Sequence, residues 1–180
     1  MSSIAFTPTV SSIGRAVLLL LTLSACVALA DDGKPGKTRI LILCTGNSAR
    51  SQMTAGFLKS WSPRLDVYSA GTNPSPRINP FAVQAMKEVG IDISSGYPKS
   101  VTQYLGQPFD YVITVCDDAD KNCPNFAGKV GKRVHIGFPD PAKATGTDAQ
   151  KMAVFRSVRN DIQKRFRVYF ENEINKGVDR

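Results

Sequence analysis

The feature that most constrains this chain is a junction near its first third. Residues 38–43, Thr-Arg-Ile-Leu-Ile-Leu, form a short apolar run of strand length. A compact polar octet, 44–51, follows. From 48 to 61 the apolar residues Met53, Phe57 and Trp61 then recur at helical spacing. Consecutive apolar residues bury both faces of a strand, which suits a parallel sheet covered on each side. The alternation continues along the chain. Residues 65–70 read as a second strand, and Asn79 and Pro80 suit the cap and first position of a helix carrying Phe81, Ala85, Met86 and Val89, closed by Gly90. Residues 100–105 suit a short helix, 109–115 a third strand and 133–138 a fourth. A last helix opens on Thr147 and Gln150, a capping box, with Phe155, Val158, Ile162, Phe166 and Tyr169 as its buried stripe. The expected fold is α/β: a single-domain, open, four-stranded parallel sheet with helices on both faces. In such sheets ligands bind beyond the carboxyl ends of the strands. Cys44 and Cys116 each follow a strand, so both fall at that edge.

The first thirty residues form a separate unit in composition. Arg15 is their one charged side chain, and a mostly apolar run from Ala16 ends in Ala28-Leu29-Ala30, the small-x-small pattern of a secretory cleavage site. The run is short for a stable membrane span. Leu23-Ser24-Ala25-Cys26 also fits a lipoprotein box, which would leave Cys26 acylated. A start codon placed too far upstream would instead make the protein cytoplasmic. We expect 1–30 to be a signal, 31–37 a flexible lead-in and 38–180 the folded domain. Export to the periplasm is the expected location, with lipid anchoring through Cys26 and a cytoplasmic protein as the alternatives. The net charge of +8 favours anionic partners. The basic residues are scattered, with a mild cluster from Lys151 to Arg167 that reads as a solvated helix face, so no nucleic-acid partner is expected. A monomer is expected.

Four cysteines occur. With Cys26 in the leader, three remain, an odd number for a structural disulfide framework. The octet gives one of them a chemical task. Five residues separate Cys44 from Arg50, enough for Thr45, Gly46, Asn47, Ser48 and Ala49 to turn successive N–H groups inward, and the following helix adds its positive amino end. A tetrahedral oxyanion fits such a cradle. Arg50 can grip two of its oxygens, and Cys44, in that field and near Ser51, is expected to have a lowered pKa. Gly46 is expected to supply conformational freedom, and Asn47 to tie the loop through its amide.

The octet and Ser51-Gln52-Met53 resemble the signature loop of the low molecular weight tyrosine phosphatase superfamily, whose fold is flavodoxin-like. Ser69-Ala70-Gly71-Thr72, Glu88-Val89-Gly90-Ile91-Asp92-Ile93-Ser94, the stretch 109–117 around Cys116, and 135–147 (HIGFPDPAKATGT) are similar to its arsenate reductase branch. The resemblance implies that Cys44 attacks arsenate and that Cys116 and Cys123 complete the reduction as a disulfide relay. It also implies that Asp140, between Pro139 and Pro141, is the general acid. No tightly bound cofactor or metal is implied. An external thiol donor, thioredoxin, glutaredoxin or a low-molecular-weight thiol, would regenerate the enzyme. Some members bind potassium through the loop asparagine and a first-helix glutamate; here Asn47 is present but Ala55 stands at the glutamate position. Zinc at the cysteine pair lacks ligands, since His135, expected within the fourth strand, is the chain's one histidine. If 116–123 were helical, its end α-carbons would stand roughly 10 Å apart, whereas a disulfide needs them within roughly 7 Å. That segment, with Asp117, Asp118 and Asp120, is expected to unwind during turnover.

Two other readings use the same residues. A phosphatase hydrolysing phosphomonoesters shares the first attack but leaves Cys116 and Cys123 idle, and Ala142-Lys143-Ala144-Thr145 replaces the aromatic residues that grip a phenyl ring. A non-catalytic, exported oxyanion-binding or thiol-redox protein would bind arsenate without turning it over.

Overall fold

The apolar run at residues 38–43 is split between two cores by the strand's period of two. In the computed structural model, which describes residues 36–116, 119 and 121–178, β1 (Thr38–Cys44) sends Ile40, Ile42 and Cys44 into one cluster and Leu41 and Leu43 into the other. All four aliphatic side chains are fully buried. β1 is therefore a central strand. It pairs in parallel with β2 (Leu65–Gly71) and β3 (Phe109–Thr114), and β3 pairs in parallel with β4 (Val130–His135), giving the order β2-β1-β3-β4. Cys44 is opposite Gly71, and Leu43 opposite Thr114, so the strands end together at one edge. Residues 35–180 form one compact unit.

The two faces are covered unequally. α1 (Arg50–Trp61), α2 (Pro80–Lys87) and α3 (Asp148–Tyr169) bury Phe57, Met86, Phe155 and Phe166, among others, in the first cluster. The second face is covered by a 3₁₀ helix, Val101–Tyr104, together with Leu105, Phe126 and Cys123. The local signals work as expected. Asn79 Oδ1 accepts from Phe81 N at the start of α2, Pro80 opens that helix, and Gly90 takes a φ of 78° beyond its end. At α3, Thr147 and Gln150 form the reciprocal capping box. The stripe of α3 is buried from Phe155 through Phe166, with Tyr169 partly covered, and the chain continues through a π-helical turn, Phe170–Ile174, into α4 (Asn175–Val178).

The fourth strand corrects the sequence expectation. It spans Val130–His135, three residues earlier than 133–138. β4 is an edge strand paired only with β3, so polar Lys132 and Arg133 can lie in it facing solvent. The apolar residues Ile136 and Phe138 sit beyond it and are buried in the first cluster from the loop. Apolar residues there marked burial and not strand pairing. The signal-like segment 1–30 lies outside the described residues, as do Asp117, Asp118 and Asp120. No helix among the described residues is long and apolar enough to cross a membrane.

Candidate active site

The octet is held from behind by the segment that follows β2. Thr72, Asn73, Ser75 and Asn79 donate their backbone N–H groups to the carbonyls of Cys44, Thr45, Gly46 and Ser48, at 2.8 to 3.2 Å. With those carbonyls held on one side, the loop curls around the other. α1 adds to the cradle, because its cap residue Ala49 makes no side-chain capping bond and the first N–H groups of a helix lack intrahelical acceptors. A Cβ on Gly71 would stand 2.5 Å from the Thr45 carbonyl oxygen, and one on Gly46 would stand 2.6 Å from Ser75 Oγ. Gly46 thus serves close approach and not a left-handed backbone. The left-handed residue is Asn47, with a φ of 47°.

Asn47 is fully buried and ties the loop in three directions. Its Nδ2 donates to Ser51 Oγ at 2.8 Å, and its Oδ1 accepts from Lys99 N at 2.9 Å and from Gln52 Nε2 at 3.2 Å. Two donors already aim at that oxygen, and Ala55 offers no side-chain oxygen. These residues do not fit a potassium site of the kind the resemblance suggested. Because Ser51 Oγ accepts from Asn47, its own hydrogen is left for Cys44, whose Sγ lies 2.9 Å away. Asn47 N also donates to Cys44 Sγ at 3.1 Å.

The nucleophile's environment differs from the sequence expectation of a lowered pKa. Burial pushes the Cys44 thiol above its ordinary value; the Ser51 hydroxyl and the backbone N–H groups of Ser51 and Asn47 oppose that shift, and nearby Cys116 adds to it. Desolvation wins because the thiol is 2% exposed. Arg50 is turned toward the loop after β4: its Nη1 donates to the Phe138 carbonyl at 3.0 Å and its Nη2 lies 3.2 Å from Asp140 Oδ2. Each of these nitrogens carries a second N–H, so Arg50 can hold Asp140 and an oxyanion together. Asp140 also accepts from Ala142 N at the start of a 3₁₀ turn, Pro141–Lys143, which fixes the carboxyl beside Arg50.

Of the three thiols, two converge. Cys116, also 2% exposed, lies 3.4 Å from Thr45 Oγ1 and shares the first core cluster with Cys44. Cys123 packs instead against the second cluster, in a groove with Val112, Thr114, Arg133, Val134 and His135. Between them Ala119 is fully buried in the first cluster, so the chain crosses from one face of the sheet to the other. No disulfide joins Cys44, Cys116 and Cys123. His135 ends β4 with its Nδ1 2.8 Å from Thr114 Oγ1. The sequence reading missed Gly71, Gln52, Ser75 and Lys99 as supports of the loop. Gly71, in the Ser-Ala-Gly-Thr stretch at the end of a strand, was the available signal; the others act through partners distant in sequence.

A parallel α/β sheet presenting a cysteine and an arginine in a strand-to-helix anion loop, with an aspartate fixed beside the arginine, defines a thiol-based, oxyanion-handling enzyme class. The chain belongs to the low molecular weight phosphotyrosine protein phosphatase family, which matches residues 39–180. A relative from Halalkalibacterium halodurans named arsenate reductase is 49% identical over 136 residues, covering 75% of this chain and 96% of that protein. One from Bacillus subtilis with the same name is 45% identical over 133 residues, covering 73% and 94%. A solved arsenate reductase in the phosphate-binding state is 31% identical, with a TM-score of 0.63, covering 77% of this chain and 98% of that one.

Proposed function

We propose that this chain reduces arsenate to arsenite, with Cys44 as nucleophile, Arg50 and residues 45–51 as the oxyanion cradle, Asp140 as general acid, and Cys116 and Cys123 as the relay. One observation carries the reading: a second thiol, Cys116, stands beside the anion loop, bonded to Thr45. Phosphoester hydrolysis has no use for it. Names and coverage of the relatives point the same way.

Cys44 thiolate attacks arsenic while Asp140 gives a proton to the departing oxygen. Cys116 thiolate then attacks the Cys44 sulfur; the electron pair of the breaking S–As bond reduces arsenic, and arsenite leaves behind a Cys44–Cys116 disulfide. Cys123 exchanges with that disulfide to give Cys116–Cys123, which an external thiol donor reduces. Since Cys123 starts on the other face of the sheet, segment 117–127 must rearrange. Hydrogen exchange there should quicken in the Cys116–Cys123 oxidised protein; equal protection in both redox states would contradict this step. We propose export to the periplasm on the signal pattern alone, a location that N-terminal sequencing of the native protein tests.

The deciding measurement is arsenite produced per enzyme with a thioredoxin, a glutaredoxin or a small thiol as donor. Cys116→Ser and Cys123→Ser should each abolish sustained turnover, and undiminished turnover in either refutes the relay. Thiol-independent hydrolysis of an aryl phosphate at comparable rate would favour a phosphatase, and tight arsenate binding without product would favour a binding protein.

A further inference from the structure

We propose that Arg133 is a positioning residue for the resolving thiol: it holds the 123–126 stretch in place and favours the thiolate form of Cys123 for its exchange step. The inference rests on the relay above and deepens it. Arg133 Nη1 donates to Cys123 Sγ at 3.6 Å and to the Pro124 carbonyl at 3.4 Å, and its guanidinium lies 5.3 Å from the centre of the Phe126 ring. One cation therefore touches three of four consecutive residues. Its base is firm, because β4 pairs Arg133 with Val112 of β3. Cys123 is half-buried in a groove of about 360 Å³ whose other lining groups, apart from Arg133, are Val112, Thr114, Val134 and His135.

A guanidinium keeps its charge throughout the working pH range, and an adjacent cation favours a thiolate over a thiol. The thiolate is the form that attacks. In the step, Cys123 sulfur bonds to Cys116 sulfur, the Cys44–Cys116 bond breaks, and its electron pair leaves on Cys44 as thiolate; the proton Cys123 gave up has gone to solvent, and no net oxidation occurs. The same contact fixes where Cys123 waits. It is long for a charge-assisted bond and made at an exposed side chain, so the thiol can leave for Cys116 once the disulfide has formed.

The test compares the full-length protein with Arg133→Met and Arg133→Lys. Cys123 alkylation by iodoacetamide is followed by peptide mass spectrometry at pH 7 and at a pH where every thiol is ionised. Arg133→Met should alkylate roughly threefold to tenfold more slowly at pH 7, as for a thiol losing one adjacent cation, and match the parent at high pH. Arg133→Lys, which keeps the charge, should recover most of the rate. Transfer of the disulfide from Cys44–Cys116 to Cys116–Cys123 in quenched single turnovers should slow in parallel, while the earlier arsenite release keeps its rate. Parent-like alkylation in Arg133→Met at pH 7, or loss in Arg133→Lys as large as in Arg133→Met, overturns the proposal. Two failures can be told apart: sustained turnover by Cys123→Ser sinks the relay and this inference with it, whereas a dead Cys123→Ser beside an unaffected Arg133→Met sinks the inference alone.

Discussion

Replacing Ser51 by alanine should disarm Cys44 without removing a single atom of the nucleophile or of Arg50. Asn47 Nδ2 donates to Ser51 Oγ, which obliges the hydroxyl to spend its hydrogen on Cys44 Sγ. Burial already raises that thiol, and the Ser51 hydroxyl is the largest influence acting against it. A hydrogen bond to a charged group contributes about 1.5–3 kcal/mol, and about 1.4 kcal/mol corresponds to one pKa unit. Ser51→Ala should therefore raise the Cys44 pKa by roughly one to two units, lowering the thiolate fraction at pH 7 by about tenfold to a hundredfold. The alkylation rate of Cys44 as a function of pH, read in a Cys116→Ser/Cys123→Ser background, measures the midpoint directly. Arsenite release in a single turnover of the Ser51→Ala protein should fall by a similar factor. Asn47 Nδ2 also loses its acceptor, at about 1–3 kcal/mol of stability, so folding is checked by circular dichroism. A folded variant whose alkylation midpoint coincides with that of its parent would refute the hydrogen-bond chain as the source of the thiolate.

Three further expectations rest on separate contacts. The Cys44 pKa is raised above its ordinary value of 9.0, so the folded state favours the thiol: its stabilisation is intact below about pH 9 and is lost as pH climbs toward the folded-state pKa, where the unfolded chain binds fewer protons. Urea denaturation of the reduced protein should show this decline above pH 9, and Cys44→Ala should flatten it; identical slopes would remove the burial argument. Gly71→Ala places a methyl group 2.5 Å from the Thr45 carbonyl, so the loop must shift at a cost of about 1–3 kcal/mol. Phosphate binding by calorimetry should weaken in that variant, and unchanged affinity would show that β2 does not shape the cradle. Asp140→Asn keeps the contact to Ala142 N but cannot donate the proton, so single-turnover arsenite release should slow by about 100-fold or more with arsenate affinity retained; a parent-like rate would remove Asp140 from the chemistry.

How far the sequence led can be judged from particular residues. Strand β1 and the caps of α2 and α3 were legible because local rules decide them: unbroken apolar runs, Asn79 before Pro80, Thr147 three residues before Gln150. The edge strand was placed late because an edge tolerates polar residues on its open side, so Lys132 and Arg133 hid it while Ile136 and Phe138 imitated it. In the site, Cys44, Arg50 and Ser51 were visible as a contiguous motif, and Asp140 through its resemblance to known family members. What the spacing could not reveal was mutual geometry. Asn47, and not the Gly46 expected to supply conformational freedom, adopts the left-handed backbone, Lys99 closes the loop from 52 residues away, and burial raises the thiol that the positive loop is expected to lower.

That difference separates the parts of the site that are built in advance from the part that is not. The anion loop is over-determined: four carbonyls held by residues 72–79, three hydrogen bonds to the Asn47 side chain, and a glycine at each close approach. Such a cradle needs no reorganisation when charge develops on a bound oxyanion, which is where electrostatic stabilisation is most effective. Cys116 belongs to this rigid half, at the end of β3 and in the same core as Cys44. Cys123 belongs to the other half, on an edge-strand groove and held through an exposed arginine. Keeping it away has a chemical reason. A Cys123 thiolate already inside the site could attack the Cys44 sulfur of the arsenic adduct in place of Cys116, releasing arsenite and leaving a Cys44–Cys123 disulfide outside the relay. Separation across the sheet makes the order of the two disulfides depend on rearrangement of the intervening segment, so the second exchange follows the first.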